Sequence, residues 1–520
     1  MRSRLLLLPL FLASAACSVL DAPSAGSEED LTSKTARSRA LEFDGYVYVE
    51  EGASDEAILA AVRRQTRSAL GALRHEKIAL ASREAKDVDP ATFEKRTVSV
   101  VDVAKPTAKP TVREQVRYHY VDEAIVPVDL ATQSSLPSAL LSSEYEQESE
   151  RVREECADVE DLTQETMDDL WYVFSPATES CRSAIAKEEA TIAADTKELT
   201  DRKNQVAASE VGRLYLPTTM KLGPDTTNDR ASYPEYDRLL SGEGVEKGKV
   251  VVSLVHGFLN DTEAEDETDW GFREWADQIH YTLEARPFTV VKTEPSVDLE
   301  HYSVGGKEIT VPLADLARAF ITYDEKSPAG LTESEAAEWK KEVGRRVIKH
   351  WITLETKVDV SIGGKASKPL TVQLRTYMGS GKEPAPVKRA IKTSDVVIYN
   401  AHSYVGRGPL DPSYYSTEDF PSTYQILFFD SCVSYNYYHQ DFIRLKGGTK
   451  DLDLITNGLV AQANGSGYWN SQFLAALLGG KQPSYLELLE SNRGTDNALR
   501  VVDGELDNVY SPKKTPITIE

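Results

Sequence analysis

Two apolar runs in the second half of the chain end in residues able to carry nucleophilic catalysis. One is Val396-Val397-Ile398-Tyr399-Asn400-Ala401-His402-Ser403; the other is Ile426-Leu427-Phe428-Phe429-Asp430-Ser431-Cys432. A thiol is a weak nucleophile until a base takes its proton, and an imidazole can take it and later return it to a leaving amine. Backbone N–H groups just past the runs, those of Cys432 and Ser403, would face the oxyanion that such an attack creates. Each run is short, unbroken and rich in β-formers, the pattern of a strand buried on both faces of a parallel sheet. Ligands in open α/β sheets sit beyond the carboxyl ends of the strands. The 30 residues from His402 to Cys432 leave room for a crossover between parallel neighbours. Imidazole and thiol are therefore expected at one sheet edge.

The elements that must position them begin near Lys249, where apolar strands start to alternate with helices. Residues 250–255, 288–291, 370–374 and 452–456 read as strands. Phe272, Trp275, Ile279 and Leu283 mark one helix face. Thr332-Glu333-Ser334-Glu335 is a capping-box start for a helix carrying Trp339, Val343 and Val347. Residues 249–520 are expected to form an α/β domain, a mostly parallel sheet flanked by helices. Ahead of it, residues 40–130 read as a small α+β domain, with strands near 41–49, 97–101 and 116–120 and a helix over 57–73. His119 alternates within the last of these strands and reads as structural. Residues 134–212 are charged and read as a helical hairpin broken at Ser175-Pro176. Residues 213–248, rich in Pro, Gly and Asp, read as a connector.

The first residues have the make-up of an export signal. Met1-Arg2-Ser3-Arg4 is basic, Leu5 to Ala13 is apolar, and Ser14-Ala15-Ala16 is a small-residue cleavage site before Cys17. Residues 1–16 are read as a signal peptide, and the ending resembles a bacterial lipobox. That resemblance implies a lipidated Cys17, a flexible tether over 17–39 and an exported cell-envelope lipoprotein, at the outer membrane or on the periplasmic or surface face. The chain has four cysteines. Export allows disulfides, and antiparallel helices would pair Cys156 with Cys181. Cys432 is left over, as a reactive thiol or a buried small apolar residue.

The pair of strand ends resembles the caspase-like superfamily of cysteine peptidases (clan CD), which includes metacaspases, gingipains and clostripain-like enzymes. In that family one hydrophobic strand ends in the catalytic His and the next in the catalytic Cys. Asp430-Ser431-Cys432-Val433-Ser434 is similar to the metacaspase Asp-Ser-Cys-His-Ser block. The resemblance covers about 249–480. It implies a caspase-like fold, Cys432 as nucleophile, His402 as general base and acid, Ser403 near the substrate, Asp430 binding a basic P1 side chain, and a peptide or protein as substrate. The chain departs from the family pattern at Ala401 and Ser403, where glycines are usual, and at Val433.

Three other readings stand beside this one. A non-catalytic surface lipoprotein, used for binding or envelope structure, would keep the fold without the chemistry. A serine esterase of α/β-hydrolase type would use His256-Gly257-Phe258 and His402-Ser403, but Ala401 and Val405 stand where the nucleophile elbow wants glycines. The acidic loop with Asp261, Glu263, Asp266, Glu267 and Asp269 could supply oxygen ligands to Ca²⁺, although a solvated charge run explains it better; otherwise no cofactor is expected. Tyr435, Tyr437 and Tyr438 read as core or cleft wall. A formal net charge of −24 argues against nucleic acid, whose phosphates require basic patches.

Overall fold

The computed structural model describes residues 30–83, 88–158, 166–260, 265–321, 323–492 and 498–520. The signal at 1–16, Cys17, Asp261 and Glu263 lie outside them. The fold is mixed α/β, built on two large sheets, with a separate two-stranded hairpin of His301–Val304 and Lys307–Thr310. The larger has ten strands: β1 (Leu31–Thr32), β2 (Lys249–Gly257), β3 (Thr289–Glu294), β4 (Trp351–Ile362), β5 (Lys368–Gly379), β6 (Val396–Asn400), β7 (Gln425–Asp430), β8 (Leu452–Asn457), β9 (Arg500–Asp503) and β10 (Ile517–Ile519). Across the sheet the order is β1-β9-β8-β7-β6-β2-β5-β4-β3, with β10 on β4. The five central strands, β8, β7, β6, β2 and β5, are parallel. The flanks are antiparallel.

Strands β6, β7 and β8, and β2 from Val250 onward, are buried along their length, which is why they read as mainly apolar runs rather than alternating ones. One face is covered by α2 (Trp270–Ala285), which buries Phe272, Trp275 and Ile279, and by α4 (Ser466–Leu477). Asp269 caps α2, accepting from the N–H groups of Leu259 (2.9 Å), Asn260 (2.8 Å) and Gly271 (2.6 Å). Gly271 must be glycine, because a Cβ there would stand 2.0 Å from the Gly257 carbonyl oxygen. The opposite face carries α3 (Ser434–Lys446), with Tyr435, Tyr437 and Tyr438 buried in it. The predicted capping box of Thr332 and Glu335 is present.

The N-terminal half is a seven-stranded sheet packed by α1 (Asp55–His75). Its inner strands are Tyr215–Asp225, Ala36–Glu50, Thr111–Pro127 and Glu94–Val101. Two expectations are corrected here. The tether does not extend to residue 39: Leu31–Thr32 pairs with β9, and Ala36 opens a long strand, with Leu31 and Ala36 fully buried. Residues 213–248 are not only a connector, because Tyr215–Asp225 pairs on both sides and turns Leu216, Met220 and Leu222 inward. Of residues 134–212, Ser149–Cys156 and Glu179–Glu198 form the expected helical pair, joined by the Cys156–Cys181 disulfide with the short helix Leu170–Val173 between them, whereas Ser135–Leu141 and Gln205–Ala207 are strands of the N-terminal sheet and not part of a hairpin. One buried cluster runs from Leu41, Phe43 and Leu70 of this half to Val255, Tyr399 and Phe429 of the large sheet. The two halves therefore share a core. Among the described residues no helix is long and apolar enough to cross a membrane.

Candidate active site

The parallel register pairs Asn400 of β6 with Asp430 of β7 and with His256 of β2. His402 and Cys432 each lie two residues past that row, on adjacent strands, so they leave the sheet at the same edge. Neighbouring strands are roughly 4.8 Å apart. Both residues are half-buried. The sequence expectation of a shared edge is met by this register.

His402 Nε2 lies 2.8 Å from the carbonyl oxygen of Leu259, in the loop after β2. A carbonyl only accepts, so Nε2 is the donor, and in the neutral ring Nδ1 then holds the lone pair. The ring packs edge-on against Tyr404. Its backbone is fixed too: the buried Tyr399 hydroxyl donates to the His402 carbonyl at 2.9 Å, and the buried Tyr438 hydroxyl donates to the Ser403 carbonyl at 2.8 Å. Ser403 O also accepts from the N–H of Gly406 (3.0 Å) and Gly408 (3.2 Å). The turn so formed is left-handed at three successive residues, Tyr404 (φ 49°), Val405 (φ 54°) and Gly406 (φ 78°). For a non-glycine residue that conformation costs roughly 1–2 kcal/mol, and for β-branched Val405 it persists only because its surroundings fix it.

Cys432 sits in a second tight turn. Val433, at the N-cap of α3, has φ 53°. Its N–H donates to the Leu459 carbonyl at 2.9 Å, so it is not free for a ligand. Cys432 lies one residue before that N-cap, at the mouth of α3. It packs against the buried cluster on the tyrosine face, with the Ala461 carbonyl oxygen 4.0 Å from Sγ. The Ser403 N–H has no hydrogen-bond partner among the described residues, which leaves it a donor at this edge.

Asp430 does not have the role expected of it. It is buried, and its carboxylate accepts from Asn457 Nδ2 (2.9 Å), Asn470 Nδ2 (2.8 Å) and Arg500 Nη2 (3.0 Å). The chain's own guanidinium fills the place foreseen for a basic P1 side chain. Arg500 is buried as well, and its Nε reaches Asn457 Oδ1 at 3.0 Å. Asn400 extends the same layer: its Nδ2 donates to Ser466 Oγ (2.8 Å), which donates to Glu274 Oε2 (3.0 Å). Glu274 also accepts from the Gly465 and Gly467 N–H groups at the start of α4. Burial raises it to about 7.

The other candidates separate clearly from this edge. His256, in the last paired row, is sealed in; burial drives it down to about 3 against a small opposing pull from Gln278. His439 lies buried in α3, stacked on Tyr435 and lowered to about 4 by burial. It gives Ser403 no esterase partner. His119 is exposed and bound to Asp44 and Glu42. It helps line a concavity of about 620 Å³ on the N-terminal sheet, with Tyr46, Arg117 and Lys221, remote in the fold from the strand ends. In the acidic loop, the carboxylate of Asp269 is occupied by three backbone N–H groups, Asp266 accepts from Thr268, and Glu267 lies against Gly344. Among the described residues there is no group of three or more His, Cys, Asp or Glu able to hold a metal ion.

Sequence reasoning missed Arg500, Asn457, Asn470 and Glu274 as neighbours of the site. Asn457 alone carried a signal, as the polar residue closing an apolar strand. Compared with known proteins, the chain matches no family model, no curated protein and no solved structure.

Proposed function

We propose that the protein is a cysteine hydrolase of caspase-like type acting on peptide bonds, with Cys432 as nucleophile and His402 as general base and acid. The observation that carries this reading is the register: one imidazole and one thiol, each two residues past paired positions on adjacent parallel strands. The Leu259 carbonyl holds Nε2–H, so Nδ1 is the nitrogen able to accept the thiol proton. The thiolate attacks the scissile carbonyl, and the oxyanion meets the Ser403 N–H. The tetrahedral adduct collapses, the amine leaves with the proton from His402, and a thioester forms. Water, deprotonated by His402, then releases the acid and regenerates the thiol. Asp430 supplies no basic P1 selection, because Arg500 already neutralises it. With the leader read at 1–16 and Cys17, the proposed setting is the cell envelope, on a lipid anchor.

The test is alkylation of Cys432 by iodoacetamide across pH, in wild type, Cys432→Ala and His402→Ala, together with digestion of a mixed peptide pool. Thiol reactivity that loses its enhancement near neutral pH in His402→Ala, with peptide cleavage abolished by Cys432→Ala, supports the reading. Identical alkylation profiles in wild type and His402→Ala, with no cleavage by wild type, would sink it.

A further inference from the structure

We infer that the N-terminal half positions the catalytic turns. Through Arg83 and Asp169 it holds the left-handed turn 404–407 in place, and with it His402. This rests on the Cys432–His402 reading above.

A run of three left-handed residues that includes a β-branched valine does not hold itself; it needs outside partners. Tyr399 and Tyr438 supply partners from within the large sheet and α3. The others come from the N-terminal half. Arg83 Nη2 donates to the Gly406 carbonyl at 3.0 Å. Arg407 forms an ion pair with Asp169, the residue just before the helix Leu170–Val173. Asp169 is itself fixed, accepting from Trp171 Nε1 at 3.2 Å. Its side chain is 9% exposed, whereas that of Arg407 is 57% exposed. The fixed, buried partner thus belongs to the N-terminal half and the reaching one to the turn. Gly406 is wedged between the two halves: a Cβ there would lie 3.2 Å from the Tyr437 ring and 3.4 Å from Arg83 Cζ.

The same N-terminal segment also reaches the helix that follows the thiol. Asn436 Nδ2 donates to the carbonyls of Leu80 and Ser82, both at 2.8 Å. Leu80 to Arg83 therefore touches α3 just after Cys432 and the turn just after His402. Those are the two places where a small shift would change the distance between base and nucleophile. Such a misplacement is worth about 10²-fold in rate per ångström. Arg83, Asp169 and Arg407 are positioning residues; none of them is assigned a part in the chemistry.

The test uses the full chain with Arg407→Gln, Arg83→Gln and the double variant. Arg407 is the cleaner site, because it is exposed and Asp169 keeps its bond from Trp171 Nε1 when Arg407 is replaced. Amide exchange over 403–410 should quicken about tenfold or more in either single variant, with exchange across the central strands unchanged. The pH profile of Cys432 alkylation should move toward that of His402→Ala, and kcat for peptide cleavage should fall about 10- to 100-fold with KM little changed. Exchange at 403–410 and alkylation both matching wild type would overturn the inference. The catalytic reading fails separately, if wild type and His402→Ala alkylate identically; the exchange measurement still decides whether the N-terminal half holds the turn.

Discussion

Two rows of residues cross the carboxyl end of the large sheet, and they behave differently. The inner row, still in the strand ladder, is His256, Asn400, Asp430, Asn457 and Arg500. Every member is at most 5% exposed. The outer row, two residues further on, is His402 and Cys432, both half-buried. Chemically the rows look alike, since each offers a histidine and a polar partner on neighbouring strands. Depth separates them. Within the ladder the helices α2 and α4 close over the side chains, and polar groups must satisfy one another. Past the ladder the chain turns away and a side chain can meet a ligand. A reactive residue type at a strand end is therefore not yet a site; its distance past the last paired residue decides.

The largest effect should come from the outer row. Cys432→Ser and His402→Ala are each expected to lower peptide cleavage by about a thousand-fold or more. Unfolding free energy should change by no more than about 1 kcal/mol, because both side chains are half-buried. Steady-state rates beside urea melts check this. A large loss of stability with proportionate loss of rate would move His402 and Cys432 into the structural row.

The inner row should answer in the opposite currency. Arg500→Met leaves Asp430 buried without its cation, and unpairing a buried charge costs about 3–5 kcal/mol. Asp430→Asn with Arg500→Met removes both charges and should recover part of that loss. Urea melts give the stability. Any peptide selectivity for Arg or Lys should survive in the double variant, since Asp430 does not face substrate.

Stability should also bend with pH. Burial raises Glu274 to about 7, Asp453 to about 7 and Glu505 to about 8. A carboxyl raised on folding stabilises fully below its unfolded value, near 4.3 for Glu, and loses that contribution as pH rises through the folded value. The fold should weaken from about pH 5 to pH 8 on this account. Glu274→Gln should remove up to about 3 kcal/mol of that decline, at the rate of roughly 1.4 kcal/mol per pH unit. Urea melts at pH 5.5 and 8 test it. An unchanged difference between the two would mean that Glu274 is already ionised in the fold at pH 5.5.

How much of this was legible in the sequence follows the same division. The strands β2, β6, β7 and β8 were readable because parallel strands buried on both faces are unbroken apolar runs. The α2 face and the Thr332–Glu335 capping box were readable because spacing alone carries them, and the Cys156–Cys181 pair because two neighbouring antiparallel helices bring the cysteines together. Strand Tyr215–Asp225 was hidden by Pro217, Gly223 and Pro224, which read as turn residues although partners on both sides hold the strand. Leu31–Thr32 was hidden by shortness, since two residues show no period. The role of Asp430 could not be read locally at all. Its cation, Arg500, lies 70 residues away and arrives by an antiparallel return that no spacing announces. The sequence points to strand ends; which of their side chains stay open depends on what folds over them.

His256 gives the smallest expected effect and the sharpest separation of the rows. Neither ring nitrogen makes a hydrogen bond of good geometry among the described residues, and Gln278 is the polar side chain that faces the ring. An apolar residue of similar size therefore forfeits at most one weak contact there. His256→Leu should change stability at pH 7 by less than about 1 kcal/mol. Rate and thiol alkylation should match wild type. The acid side should differ: a histidine lowered to about 3 on folding stabilises above its unfolded value, near 6.5, and that contribution is lost as pH falls. His256→Leu should therefore lose less stability than wild type between pH 6.5 and 4. A rate as low as that of His402→Ala would place both histidines in one catalytic layer, and the distinction by depth would fail.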